Sequence, residues 1–168
     1  MHSPDDATTY RLTTWWCFDA PLEPVWNAIA DEDGWPAWWP GIASVVLAPG
    51  DPQGLGAVRR YTCRGALPLR LSFVARVTRI VPQRLIEGQA CGDLVGRGRC
   101  SLACAQGRTT VHLDWQVRTA SAWLNRLAPL IHPLLRWNHD RLMQAGGQGL
   151  ERHLARSTAM DAFKKESA

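Results

Sequence analysis

The chain has 168 residues, 46% hydrophobic and 20% charged, with a formal net charge of +4. That length predicts a single domain with a real core. The mild charge, spread over scattered arginines, excludes a nucleic-acid interface, and no apolar run is long enough for stable membrane insertion.

The N-terminal stretch Met1-His2-Ser3-Pro4-Asp5-Asp6 has no basic segment followed by an apolar one, so a cytoplasmic protein is expected. Residues 1–9 read as a flexible N-terminus. The five cysteines lack zinc-type spacing; they read as reduced, mostly buried thiols, and neither a metal nor a cofactor is expected.

From Tyr10 to Ala20 the side chains alternate, with Leu12, Thr14, Trp16 and Phe18 on one face, which predicts a half-buried first strand. Leu22, Val25, Trp26 and Ile29 recur at helical spacing over Pro21–Asp31, with Pro24 tolerated in the first turn. Asp31–Gly41 is turn-rich, holds Trp35, Trp38 and Trp39, and leaves room for a short second helix. Six strands follow: Ile42–Ala48, Gly56–Leu67, Pro68–Val81, Arg84–Cys91, Leu94–Ala105 and Arg108–Thr119, separated by Gly, Pro and Asp punctuation. Short connections imply antiparallel neighbours.

The segment 121–155 is the longest helical pattern. Leu124, Leu127, Ala128, Ile131, Leu134, Leu135, Leu142 and Ala145 fall within an arc of roughly 120°. Asn138 lies in the middle of that stripe, and Arg126, Arg136, Asp140 and Gln144 lie opposite. Pro129 and Pro133 predict a short helix over about 121–131, a kink or break, and a main helix over 133–155. Gly146 and Gly149 face the apolar side, either for close backbone approach or through fraying. Residues 156–168 lose the pattern and read as a disordered tail. One strand, two small helices, six strands and one long helix make an α+β chain.

The inward faces of the fifth and sixth strands are small: Ile86, Gly88 and Ala90, then Gly96, Gly98 and Cys100 between Leu94 and Leu102. Close packing requires a neighbour to fill that space or a cavity to remain. The cavity is expected between Asn138 and Leu142 on the helix and Phe73 and Trp115 on the sheet, with Tyr61 as a further aromatic wall. Arg141, at the edge of the stripe, either holds an anionic group or reaches solvent. Glu87 points to solvent on this alternation; in the opposite register it is a general acid in an apolar pocket. His132 and His139 flank the stripe and read as surface or rim residues, and His139 with Asp140, adjacent on a helix, does not form a dyad. No phosphate loop, nucleophile elbow or zinc-protease motif occurs.

Asp19-Ala20-Pro21 with Val25-Trp26, Trp38-Trp39-Pro40-Gly41, Gly92-Asp93-Leu94 with Gly96 and Gly98, Trp115 with Val117, and Trp137-Asn138-His139-Asp140 with Met143, Gly146 and Leu150 carry a resemblance. Over residues 10–155 the chain resembles the START-like (SRPBCC) superfamily, in particular its bacterial polyketide cyclase/dehydrase-like proteins. The resemblance implies a helix-grip fold: a curved seven-stranded antiparallel sheet around a long C-terminal helix, with two short helices between strands 1 and 2. It also implies a hydrophobic cavity between sheet and helix. The expected ligand contacts are Trp39, Tyr61, Phe73, Gly98, Trp115, Asn138, Arg141 and Leu142. The expected function is binding of a lipid, polyketide or aromatic compound by a monomer or homodimer. The alternative is a polyketide cyclase or dehydratase, with Glu87 and Arg141 as candidate catalytic groups.

Overall fold

The computed structural model describes residues 9–68, 70–120 and 128–166, with side chains described at 9–68, 70–118, 120 and 133–160. The elements in order are β1 (Thr9–Phe18), α1 (Leu22–Ala30), α2 (Trp35–Trp38), β2 (Ile42–Ala48), β3 (Val58–Arg64), β4 (Arg70–Val81), β5 (Leu85–Gly92), β6 (Leu94–Ala105), β7 (Arg108–Thr119) and α3 (Ala128–Glu166). The seven strands form one antiparallel sheet in the order β1-β7-β6-β5-β4-β3-β2. From β2 to β7 each strand pairs with its successor, as short connections require, and β1 joins at the far side of β7. The β6–β7 hairpin turns at Gln106 and Gly107, with φ of 52° and 76°, the left-handed pair that a two-residue turn matched to strand twist needs.

Register settles the inward faces. Leu12 lies opposite Trp115 and Trp16 opposite Val111, so the apolar alternations of β1 and β7 share one side. A break in register between Val77 and Arg79 marks a bulge, a device that bends a sheet. The sheet curves around α3, giving an α+β helix-grip fold.

Packing is tightest at one end. Trp16, Phe18, Val25, Ile29, Trp38, Trp39, Leu102 and Val111 close on Met143, Leu150 and Leu154 of α3. The buried positions 143, 146, 150 and 154 follow the 3–4 spacing of a helix face. Burying a side chain such as Leu150 stabilises by about 1.5–3 kcal/mol.

Three expectations about the last helix change. Pro133 lies inside a continuous helix that is already formed at Ala128, so no break precedes the main segment. The proline costs one i→i−4 bond there, close enough to the helix start for the ladder to resume beyond it. The helix also continues past 155 to Glu166, with an exposed surface beyond Leu154 up to Met160. Leu134, placed in the stripe by periodicity, is 47% exposed, because the buried face is centred on Asn138, Met143 and Gly146. The helical pattern at 121–127 and the segment 1–8 lie outside the described residues. No described helix is long and apolar enough to cross a membrane.

Candidate functional site

Two indoles set the height of α3 above the sheet. Trp39 Nε1–H donates to the Leu142 carbonyl at 3.0 Å, and Trp16 Nε1–H to the Met143 carbonyl at 3.2 Å. Both approaches cross a glycine: a Cβ on Gly146 would lie 2.5 Å from Trp39 Nε1, and one on Gly147 2.9 Å from Trp16 Nε1. Gly149 abuts the Trp38 carbonyl. The glycines therefore serve close approach rather than fraying, and the partners are tryptophans of β1 and the α2 turn.

Ahead of this anchor, the part of α3 from Leu135 to Met143 faces the sheet across a cavity of about 220 Å³. A single water needs only about 10–15 Å³ by the same kind of measure, so the space suits a small organic molecule. A run of rings forms the wall. Trp39 and Trp35 lie 5.3 Å apart between centroids, Trp35 and Tyr61 5.9 Å, Tyr61 and Phe73 5.3 Å, and Phe73 and Trp115 5.8 Å.

Of the residues expected to contact a ligand, Trp39, Tyr61, Phe73, Gly98, Trp115, Asn138 and Leu142 all line this cavity. Arg141 does not: it is exposed, and its guanidinium lies 5.8 Å from the Trp137 ring centroid. Glu87 lies opposite Arg79 and Arg99 in register, and its carboxylate oxygens lie 3.8 and 3.6 Å from those guanidinium groups; the residue nevertheless also borders the cavity.

The small residues of β5 and β6 are only part of the reason for the space. Gly96 presses on the Gln116 carbonyl at φ 155°, and a Cβ on Gly88 would lie 3.0 Å from the Arg76 carbonyl. Gly98 supports the Trp115 ring, which a Cβ would meet at 3.0 Å. Close backbone approach and one indole take up much of the volume those glycines release.

Asn138 is buried, and its Oδ1 accepts the Leu67 N–H at 2.9 Å. It ties α3 to the β3–β4 connection while forming part of the wall. His139 departs from its expected place on the rim. Its side chain is 16% exposed, it lines the cavity, and Nδ1 lies 3.2 Å from Asp140 Oδ1. Adjacent helical residues do meet here, because both side chains bend towards each other. A carboxylate only accepts, so Nδ1 carries the proton and Nε2 keeps a lone pair, buried and without a partner among the described residues. Burial pushes the imidazole pKa down, and Asp140 partly opposes that. The side chain of His132 lies outside the described residues.

The sequence reading also missed Glu32. Within Asp31-Glu32-Asp33-Gly34 it looks like a solvated turn residue, yet its side chain is 14% exposed and lines the cavity. Tyr61 Oη–H donates to Glu32 Oε2 at 2.6 Å, and Arg59 Nε lies 2.7 Å from the same oxygen. Arg59 Nη1 continues to Asp33 at 2.6 Å. Burial raises the Glu32 pKa against the opposing pull of Tyr61 and Arg59, and burial also raises that of Tyr61.

Among the described residues no group of His, Cys, Asp and Glu is arranged to hold a metal. The expectation of mostly buried thiols needs correcting: Cys17, Cys91 and Cys104 are exposed, while Cys63 and Cys100 are partly buried. Three of the five sit on outward positions or at strand ends, which cysteine count and spacing do not reveal.

Residues 17–155 match a family described as polyketide cyclase / dehydrase and lipid transport. Among solved structures, the Zhui aromatase/cyclase from Streptomyces sp. R1128 superposes with a TM-score of 0.74 at 18% identity, over 89% of this chain and 96% of that one. TTHA0849 from Thermus thermophilus gives 0.69 at 16% identity, over 88% and 99%. A START superfamily protein from Mycobacterium smegmatis gives 0.69 at 14% identity, over 87% and 97%. At such identities the likeness is one of fold. No curated protein matches the sequence.

Proposed function

Because the chain belongs to the polyketide cyclase/dehydrase and lipid transport family, we propose that it binds a hydrophobic small molecule, a lipid, polyketide or aromatic compound, between the sheet and α3. The observation that carries this reading is the aromatic-walled cavity of about 220 Å³. Pockets for organic ligands are mostly apolar with a few placed polar groups, and the lining here combines Trp35, Phe73 and Trp115 with Glu32, Asn138 and His139. An apolar ligand there touches the indoles directly. Titration with 2-methoxynaphthalene should change the tryptophan fluorescence and saturate at one site per chain. Native mass spectrometry of the purified protein should show a retained small molecule or the added probe. No saturable binding in either experiment overturns the reading.

One observation favours chemistry on the bound ligand, in the manner of a cyclase or dehydratase. His139 lines the cavity with its Nδ1 proton held by Asp140, and its unprotonated Nε2 is buried without a partner among the described residues, so it reaches a ligand once the imidazole turns into the cavity. That is the arrangement of a general base, a role worth about a hundredfold or more in rate. Glu87 and Arg141, the candidates that the sequence suggests, are replaced in this reading by His139. A variant His139→Gln that binds ligand normally but turns it over at least about a hundredfold more slowly supports it; an unchanged rate removes His139 from the mechanism.

A further inference from the structure

Two carboxylates among the described residues border the cavity: Glu87 is shared between Arg79 and Arg99, whereas Glu32 is held by Tyr61 and Arg59, and its two oxygens differ. Oε2 takes both the Tyr61 hydroxyl, at 2.6 Å, and Arg59 Nε, at 2.7 Å. Oε1 receives no hydrogen bond from the described residues. The residue itself is held firmly. Its carbonyl accepts the Ser44 hydroxyl at 3.2 Å, and its partner Arg59 is braced by Asp33 at 2.6 Å. Glu32 is thus a fixed acceptor on the wall of an apolar cavity, with one oxygen that no described residue occupies, and such a group is a recognition element for a donor that enters.

We propose that Glu32 sets ligand selectivity, favouring apolar ligands that present a neutral hydroxyl to Oε1 and rejecting those headed by a carboxylate. The proposal rests on the reading of this cavity as a hydrophobic ligand site. The reasons are electrostatic. Oε1 has no donor from the described residues, so a ligand hydroxyl can make a charge-assisted bond to it that an ether of the same shape cannot. A ligand carboxylate brings a second anion beside Glu32, and the nearby Arg59 is already shared between Glu32 and Asp33. A cationic head is disfavoured by that same guanidinium, 2.7 Å from the carboxylate. A neutral donor remains.

The test is calorimetric titration of the full chain at neutral pH with 2-naphthol, 2-methoxynaphthalene and 2-naphthoate. The wild-type protein should bind 2-naphthol at least about tenfold more tightly than the ether, and 2-naphthoate most weakly. In Glu32→Gln the ether should bind as before, the advantage of 2-naphthol should shrink to within about threefold, and 2-naphthoate should gain as Arg59 loses half of its neutralising charge. Should Glu32→Gln not fold, Glu32→Asp withdraws the oxygen by one methylene and keeps the charge; it should lose the preference for 2-naphthol and still reject 2-naphthoate. Equal binding of naphthol and ether by the wild type, or a preference that survives in the Glu32 variant, overturns the proposal and leaves the cavity reading standing. Absence of binding by all three probes overturns both.

Discussion

The Trp39 indole reaches the Leu142 carbonyl of α3 at 3.0 Å only because Gly146, one turn further along, has no side chain. That carbonyl is the one to which the Gly146 N–H is directed in a regular helix, so the indole and the helix share an acceptor. The contact sets the gap between the helix and the α2 turn, and with it one end of the cavity.

In an exposed helix Gly→Ala gains up to about 1 kcal/mol of helix propensity. At Gly146 the new methyl would lie 2.5 Å from the Trp39 ring, itself buried and hydrogen-bonded. The loss should win: Gly146→Ala is expected to destabilise by about 1–3 kcal/mol in denaturant unfolding, from overpacking and a lost hydrogen bond. A variant as stable as the parent would show that the indole can move aside.

Gly98→Ala probes the opposite wall. Its methyl would meet the Trp115 six-membered ring at 3.0 Å and push the ring towards the cavity. Affinity for 2-methoxynaphthalene should fall about threefold or more, while stability changes by less than about 2 kcal/mol, since an indole with space beside it can shift. Unchanged affinity would mean that the ring does not border the ligand.

Stability should depend on pH through His139. Burial lowers its folded pKa below the ordinary value of 6.5, so the unfolded chain takes up a proton that the folded chain refuses. The contribution is complete above about pH 6.5, is lost as pH falls below it, and levels off once the folded imidazole is itself protonated. Glu32, with a raised pKa, titrates with the opposite sign, so the measurement must be differential. Urea unfolding of wild type and His139→Gln from about pH 7.5 to 5.5 should show the steeper loss in the wild type; parallel curves would contradict it.

Thiol chemistry should divide the cysteines. Burial pushes the Cys63 and Cys100 thiols up to about 12, leaving almost no thiolate at neutral pH. Iodoacetamide should modify Cys17, Cys91 and Cys104 in the folded protein, read by peptide mass, and reach the other two only in denaturant. Early labelling of Cys100 would show that the β6 wall opens.

Much of the fold is readable in the chain because its signals are local and repeated. Alternation in β1 and β7 assigned Leu12, Trp16, Val111 and Trp115 to one face, since a strand's period of two leaves each side chain a binary choice. The same parity faced Gly88 inward and Glu87 outward, where Glu87 meets Arg79 and Arg99 while still bordering the cavity. Periodicity placed Asn138 and Leu142 on the wall of the helix. It misjudged Leu134 and Pro133, because a helix face is broad and one proline near a helix start removes a single bond.

The polar end of the cavity was decided by tertiary structure alone. Glu32, Arg59 and Tyr61 come from a turn and a strand and meet only when β3 pairs beside β2. A carboxylate in a sequence of Asp, Glu and Gly looks solvated until a distant tyrosine and arginine enclose it. His139 shows the same limit at shorter range: periodicity gives the angle at which a side chain leaves the helix, but not the rotamer that turns Nδ1 to Asp140 and leaves Nε2 buried. Composition and spacing therefore determined the layers and their faces. Which polar atoms are left unpaired inside them depends on contacts between residues far apart in the chain and on side-chain torsions, and neither is encoded in any local pattern.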